Sequence, residues 1–287
     1  MKNILLTGAT GFIGTNILRE VVKYNKVYVI VRTIPSQKIF YRKNIKLIHY
    51  KNYEQLNEKL KKIKIHTVVH CATHYVRHHT YSDIRKLLES NILLGNIILE
   101  NIKSMKVKKF INFSTIWQDK NNTNGKFINL YAAYKKGFSE IFNYYKKLFN
   151  NIYFYEVLIS DTFGFNDKRK KLAVVLNKNF RQNKTTKIIS NNLYINLLNI
   201  KDINSAINKI LETKIKPDQY VLKNDKDFKI SDIINKLNIQ NVKKIKIKWL
   251  SKKIIKNKVT KYSKIKTWKP KESNISDVVN YITSIKS

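Results

Sequence analysis

The first fourteen residues, Met1-Lys-Asn-Ile-Leu-Leu-Thr-Gly-Ala-Thr-Gly-Phe-Ile-Gly14, decide how the rest of the chain is read. Asn3 to Leu6 is an apolar run of strand length that stops at Thr7-Gly8. Phe12, Ile13, Ile17, Leu18, Val21 and Val22 then recur at helical spacing. Gly8, Gly11 and Gly14 fill the passage between the two. A turn of this kind leaves backbone N–H groups unpaired at a helix N-terminus, where the helix dipole favours an anion. With no side chain in the way, a phosphate can approach the backbone closely. Strand, glycine turn and helix in this order predict a dinucleotide site at Gly8, Thr10, Gly11, Phe12, Ile13 and Gly14.

Beyond the turn the alternation continues. Lys26–Arg32 reads as a second buried strand ending in a cation. The tip of such a strand meets the adenosine ribose. A carboxylate there selects NAD and a cation suits the 2′-phosphate of NADP, so Arg32 favours NADP over NAD. A third strand is expected at 46–50, a lysine-rich amphipathic helix at 54–63 and a fourth strand at 66–72, closing on small residues. A long helix follows at 82–104, with Leu87, Ile92, Ile98 and Leu99 on its inward face and Asn91 as a polar residue within that stripe. The fifth strand, 108–115, ends at the hydroxyls of Ser114 and Thr115. Strands alternating with helices predict an α/β fold, a doubly wound parallel sheet. His70, Cys71, His74, His78 and His79 crowd one stretch. Neighbours on a strand point to opposite faces, and neither a carboxylate nor a second cysteine stands at ligand spacing, so no metal is expected.

The candidate chemistry lies at Tyr131-Ala-Ala-Tyr-Lys135, in a helical stretch running to about Tyr145. Tyr131 and Lys135 are four apart and share a helix face. A free phenol titrates near pH ~10, and a neighbouring ammonium favours the phenolate. Tyr131 can then move the proton of a hydroxyl while hydride crosses to or from its carbon. A third member, a hydroxyl hydrogen-bonding the substrate oxygen, would come from the end of the fifth strand. Ser114 and Thr115 compete for that role, and strand alternation lets only one face the site.

Thr7-Gly-Ala-Thr-Gly-Phe-Ile-Gly14, followed in order by Tyr131 and Lys135, resembles the cofactor loop and active pair of the extended short-chain dehydrogenase/reductase (NAD-dependent epimerase/dehydratase) family. The glycine spacing departs by one position from the common dinucleotide fingerprint, as it does in that family. The resemblance implies a Rossmann-type sheet with a smaller C-terminal α/β substrate lobe. Residues 1–160, with contributions from 197–222, would form the dinucleotide-binding domain, and 161–287 mainly the substrate lobe. It also implies that Ala72 lies beside the cofactor, that Lys135 holds the nicotinamide ribose as well as assisting Tyr131, and that Asn91 supports the substrate site. Ser114-Thr-Ile-Trp-Gln118 resembles a Thr-Ser-Trp-Gln variant found among nucleotide-sugar reductases, which points to Thr115. Family dehydratases carry an Asp-Glu pair where Ile116-Trp117 stand here, which argues against a 4,6-dehydratase. Asp161-Thr-Phe-Gly-Phe-Asn-Asp-Lys-Arg-Lys-Lys-Leu172 resembles the CDP-abequose synthase type of 4-ketoreductase, with Phe165 in place of a proline. Arg169 and Lys171 would meet the nucleotide diphosphate through charge-assisted bonds. The remaining lobe is expected as a helix at 172–180, a strand at 186–190, a helix at 197–211, elements at 219–222, 230–237 and 243–250, and a last helix at 275–285. Trp268-Lys-Pro270 resembles the family's Trp-x-Pro element. The expected activity is NADP- or NAD-dependent reduction of a 4-keto-6-deoxy nucleotide sugar, with epimerisation as the alternative. A homodimer through helices 82–104 and 127–150 is implied as well.

Composition bounds these readings. The 287 residues carry 57 Lys+Arg against 19 Asp+Glu, a formal net charge of +38. Such an excess raises nucleic acid as a partner. Only seven of the basic residues are Arg, however, and the lysines run along the whole chain with abundant Asn and Ile. The pattern reads as the drift of an AT-rich genome that leaves a solvated basic surface. A catalytically idle RNA-binding protein on the same fold is the rival of another class. Cys71 is the only cysteine, which excludes an internal disulfide. No run of eighteen apolar residues exists, so no membrane partner is expected. The first strand leaves no room for a signal peptide, and a cytoplasmic location is the expectation.

Overall fold

The computed structural model of the protein describes residues 1–119, 126–212, 215–256 and 262–284. Strand and helix alternate through β1 (Asn3–Thr7), α1 (Phe12–Val21), β2 (Lys26–Val31), β3 (Ile45–His49), α2 (Tyr53–Lys61) and β4 (Thr67–His70). Next come α3 (Tyr81–Leu88), α4 (Leu94–Glu100), β5 (Lys109–Thr115), α5 (Leu130–Leu148) and β6 (Tyr153–Ile159). The remainder is β7 (Asp161–Phe163), α6 (Leu172–Arg181), β8 (Thr186–Ile188), β9 (Tyr194–Ile195), β10 (Leu197–Asn199), α7 (Ile200–Glu212) and β11 (Gln219–Leu222). It ends with β12 (Phe228–Lys229), α8 (Ile230–Gln240), β13 (Ile247–Trp249) and α9 (Ile275–Thr283).

Among the described residues a seven-stranded sheet runs in the order β11-β6-β5-β4-β1-β2-β3. β1 is parallel to β2 and to β4, β2 to β3, and β4 to β5. β4 and β5 are buried along their whole length, as strands covered on both faces must be. The order reverses between β1 and β4. Open α/β sheets place their ligands outside the strand ends at such a reversal.

By internal packing the chain falls into two compact units. One comprises Met1–Leu158, Lys214–Tyr220 and Thr260–Ser263; the other comprises Ile159–Thr213, Val221–Val259 and Lys264–Ser287. The first unit is held by a core that includes Leu5, Val68, Phe110, Phe138, Phe142 and Phe154. Phe142 sits edge-on to both Phe110 and Phe154, with ring centroids 5.3 and 5.2 Å away. Truncating any one of these rings to alanine costs about 3 to 5 kcal/mol. The second unit packs Phe163, Leu176, Ile233, Leu237 and Ile282 together. Its α6 reaches α9 through Asn177, whose amide donates to the carbonyls of Tyr281 and Ile282 at 2.9 and 3.0 Å. Those are last-turn carbonyls that the helix itself leaves unpaired.

Three expectations are corrected. The single helix expected at 82–104 is α3 and α4 joined by a π turn, Glu89–Leu93, and its last residues are turns. A π turn inserts one residue into the repeat without any compositional mark. The helix expected at 197–211 begins only at Ile200. Leu197–Asn199 instead form β10, parallel to β7 with Leu197 opposite Asp161, because that ladder decides an apolar pair that fits either period. The stretch 243–250 yields only β13, paired with β8. Ile285, the expected end of the last helix, lies outside the described residues. Among the described residues no helix is long and apolar enough to cross a membrane.

Candidate active site

The β1–α1 turn is built around backbone that allows no side chains. Gly8 lies at φ +67° and its carbonyl accepts the Gly11 N–H at 2.9 Å. A Cβ on Gly8 would stand 2.7 Å from the Ala72 nitrogen, and one on Gly14 would stand 2.1 Å from the Gly8 oxygen. Neither contact is tolerable, so both positions require glycine. α1 opens at Gly11 with no side-chain cap and no acidic residue in its first turn. A helix start of this kind suits an incoming anion and fits the diphosphate of a dinucleotide. Thr10 and Gly11 are exposed, and Phe12 and Ile13 half-buried, at the mouth of this turn.

Thr7 ties the turn to the end of β4. Its Oγ1 accepts the Ala72 N–H at 3.0 Å and lies 2.9 Å from His70 Nδ1. Ala72 is thereby fixed against Gly8. His70 is buried, with its ring 5.4 Å from that of Phe138 and no hydrogen-bond partner for Nε2. Burial, aided by the Lys135 charge, lowers its pKa to about 3, so the imidazole is neutral. Among the described residues no three His, Cys, Asp or Glu side chains gather as a metal site.

Asn129 caps α5 by accepting the Ala132 N–H at 2.9 Å, which sets Tyr131 and Lys135 in the first turns of the helix. Lys135 is 3% exposed, and its Nζ donates to the Phe113 carbonyl at 2.5 Å. Burial lowers its pKa to about 8, while Glu156 and Cys71 pull upward. Tyr131 is buried and meets Tyr75 edge-on, centroids 5.1 Å apart; Tyr75 in turn lies 5.8 Å from Trp117. Thr115 ends β5 and its Oγ1 accepts the Trp117 N–H at 3.3 Å. Ser114 is committed instead to Gln118, donating to Oε1 in the interior.

Asn91 sits inside the π turn and is 1% exposed. Its Oδ1 accepts from Thr73 Oγ1 at 2.5 Å and from the His74 N–H at 3.2 Å, and its Nδ2 donates to the His74 carbonyl at 3.0 Å. Both ends of the amide therefore hold the segment after β4. Arg32 follows β2 directly, is exposed, and its carbonyl is bonded to His49 Nε2 at 3.1 Å. Its positive charge reaches the phenols of Tyr50 and Tyr53.

In the second unit, Arg169 grips Asp167 with Nε and Nη2 at 2.8 and 2.6 Å and also donates to Thr162 Oγ1 at 2.7 Å. Lys171 Nζ lies 3.1 Å from Asp161 Oδ1. Both cations are thus held by carboxylates of their own segment. Trp268 Nε1 donates to Ser205 Oγ at 2.9 Å, fastening the Trp-x-Pro element to α7. Sequence reasoning missed Tyr75 and Glu156. The only signal for the latter is one acid inside the apolar run of β6.

Comparison with known proteins identifies the family and the fold. The profile of the NAD dependent epimerase/dehydratase family matches residues 4–222. A CDP-abequose synthase of Yersinia pseudotuberculosis is 28% identical over 206 residues, 71% of this chain and 71% of that protein. One from Salmonella muenchen is 26% identical over 211 residues, covering 74% and 70%. The fold is shared with UDP-glucuronic acid 4-epimerase from Bacillus cereus, solved in complex with NAD, at a TM-score of 0.78 and 22% identity over 98% of this chain and 96% of that one. Since the family match runs from β1 through β11, this chain is an enzyme and belongs to the NAD dependent epimerase/dehydratase family.

Proposed function

We propose that the enzyme reduces a 4-keto-6-deoxy sugar carried on a nucleoside diphosphate, with NADPH preferred over NADH. The observation that carries this reading is Lys135, an ammonium buried at the end of β5 one helical turn from Tyr131. The similarity to CDP-abequose synthases supports a 4-keto substrate, and Ile116-Trp117 offer no acid–base pair for dehydration. The rival reading of an idle RNA binder gives way to membership of an enzyme family.

Gly8–Gly14 and Ala72 would hold the nicotinamide cofactor, which would supply the hydride when bound. Tyr131 gives its proton to the carbonyl oxygen as that oxygen gains charge. Thr115 hydrogen-bonds the same oxygen. Lys135, charged up to about pH 8, holds the nicotinamide ribose hydroxyls and stabilises the phenolate that Tyr131 becomes. Arg32 takes the 2′-phosphate of NADPH, and Asn91 fixes the segment at Thr73 and His74. Arg169 and Lys171 bind the nucleotide diphosphate. The working form is a homodimer, supported by exposed Tyr81, Ile84 and Leu88 on α3 and Tyr144 and Leu148 on α5.

The test is loss of the reduced-nicotinamide absorbance with a panel of CDP-, dTDP- and GDP-linked 4-keto-6-deoxy sugars, run with NADPH and NADH. Net cofactor oxidation, faster with NADPH, is expected. Tyr131→Phe should lower kcat about 10²- to 10⁴-fold while cofactor binding stays nearly unchanged. Interconversion of sugars without net cofactor use would mean epimerisation. Full activity in Tyr131→Phe would remove the phenol from its role.

A further inference from the structure

A carboxylate is buried where the chemistry above has no use for one. Glu156 lies in the middle of β6, 3% exposed, between Phe154, Tyr155, Val157 and Leu158. A charge in such surroundings is costly unless it is paired and hydrogen-bonded. Its partners come from three elements. Ser139 Oγ of α5 donates to Oε2 at 2.8 Å, Gln219 Nε2 of β11 donates to the same oxygen, and Asn112 Nδ2 of β5 donates to Oε1 at 3.3 Å. All three are donors to it, the set that an ionised carboxylate takes.

The positions of two of these partners matter. Ser139 stands one helical turn beyond Lys135, so Tyr131, Lys135 and Ser139 form a single stripe along α5. Asn112 precedes Phe113, whose carbonyl receives the Lys135 ammonium. Glu156 therefore grips the helix turn behind Lys135 and the strand residue next to its acceptor. Among the described residues, the charges and titratable groups around Lys135 include Tyr131 one turn away on its own helix, Glu156 from β6 and, from the end of β4, His70 and Cys71. Burial pushes the Glu156 carboxyl above the usual carboxylate range, and the hydrogen bonds from Ser139 and Gln219 and the charges of Lys135 and Lys136 of α5 pull it back down. His70 is neutral, so among the described residues Glu156 is the anion that most favours the charged form of a lysine whose pKa burial lowers.

We propose that Glu156 is a positioning residue for the reaction, whose fixed carboxylate keeps Lys135 charged and aligned with Tyr131. The inference rests on the role given above to Tyr131 and Lys135. A carboxylate that merely braced α5, β5 and β11 would affect folding but not the proton chemistry.

The experiment is the pH profile of reductive kcat/KM from pH 6 to 10. In the unaltered enzyme the alkaline limb falls as Lys135 loses its proton near pH 8. Glu156→Gln keeps the shape and removes the charge, so the limb should move down by about one pH unit. Glu156→Asp keeps the charge and should restore the limb, even at a reduced rate. A folded Glu156→Gln with the original limb overturns the proposal, as does a Glu156→Asp that behaves like Glu156→Gln. Should Glu156→Gln fail to fold, Ser139→Ala decides, with a smaller shift in the same direction expected and an unmoved limb overturning the proposal. Tyr131→Phe and Lys135→Met run alongside separate the two levels. If they retain turnover, the active pair and the inference both fall; if they lose it while Glu156→Gln keeps its limb, only Glu156 is reassigned.

Discussion

His70 shows what a single neutral ring means for the enzyme in acid. In the unfolded chain it takes a proton near pH 6.5, whereas in the fold it refuses one until about pH 3. Between those limits the unfolded state binds more protons, so stability falls as pH drops through the window. The difference is worth about 4 to 5 kcal/mol at its full extent. Chemical denaturation between pH 7 and pH 4 should therefore show a steep loss, and His70→Gln should flatten it while lowering stability at pH 7. Parallel losses in the two proteins would place the acid sensitivity elsewhere. Lys135 works at the opposite end. Its pKa, lowered from 10.5 to about 8, leaves the unfolded chain with the extra proton between those values, so its contribution to stability rises with pH there.

At the scale of elements, α4 and α5 approach through Gly95. A Cβ there would lie 2.3 Å from Phe138 Cζ and 3.0 Å from His70 Nε2. Alanine is the better helix former by about 1 kcal/mol, but overpacking a filled core costs about 1 to 3 kcal/mol. Gly95→Ala should lower the denaturation midpoint, and a raised midpoint would mean that the Phe138 ring can swing aside. The glycine turn and the Tyr131–Lys135 pair were legible in the sequence because each is a local pattern whose spacing fixes its geometry. The α/β fold class followed from the same alternation, and the strand order came only with the structure. The π turn was not legible, since Asn91 looks like any polar residue on an apolar stripe until Thr73 and His74 arrive from another segment. Glu156 was hidden for the same reason, its partners Ser139, Asn112 and Gln219 lying 17, 44 and 63 residues away. Leu197–Asn199 turned into a strand because of a ladder with β7 that no local window contains.

For the whole molecule, a formal charge of +38 sets two copies of the chain against each other. Added salt screens that repulsion within about 10 Å at 0.1 M. Association through Tyr81, Ile84 and Leu88 of α3 with Tyr144 and Leu148 of α5 should therefore strengthen as ionic strength rises. Sedimentation at low and high salt should show the dimer favoured at high salt, and Leu88→Glu combined with Tyr144→Glu should give a monomer in both. A dimer that survives both substitutions would locate the contact on another face.

The widened coil at Glu89–Leu93 has one more effect. Asn91 clasps Thr73 and His74 from inside it, so the segment after β4 is latched to the pitch of a helix. Tightening that coil to ordinary α geometry would swing one half of it by about 100° against the other and unhook both residues in a single click. The position of that segment and the pitch of the helix are thus set by the same three hydrogen bonds.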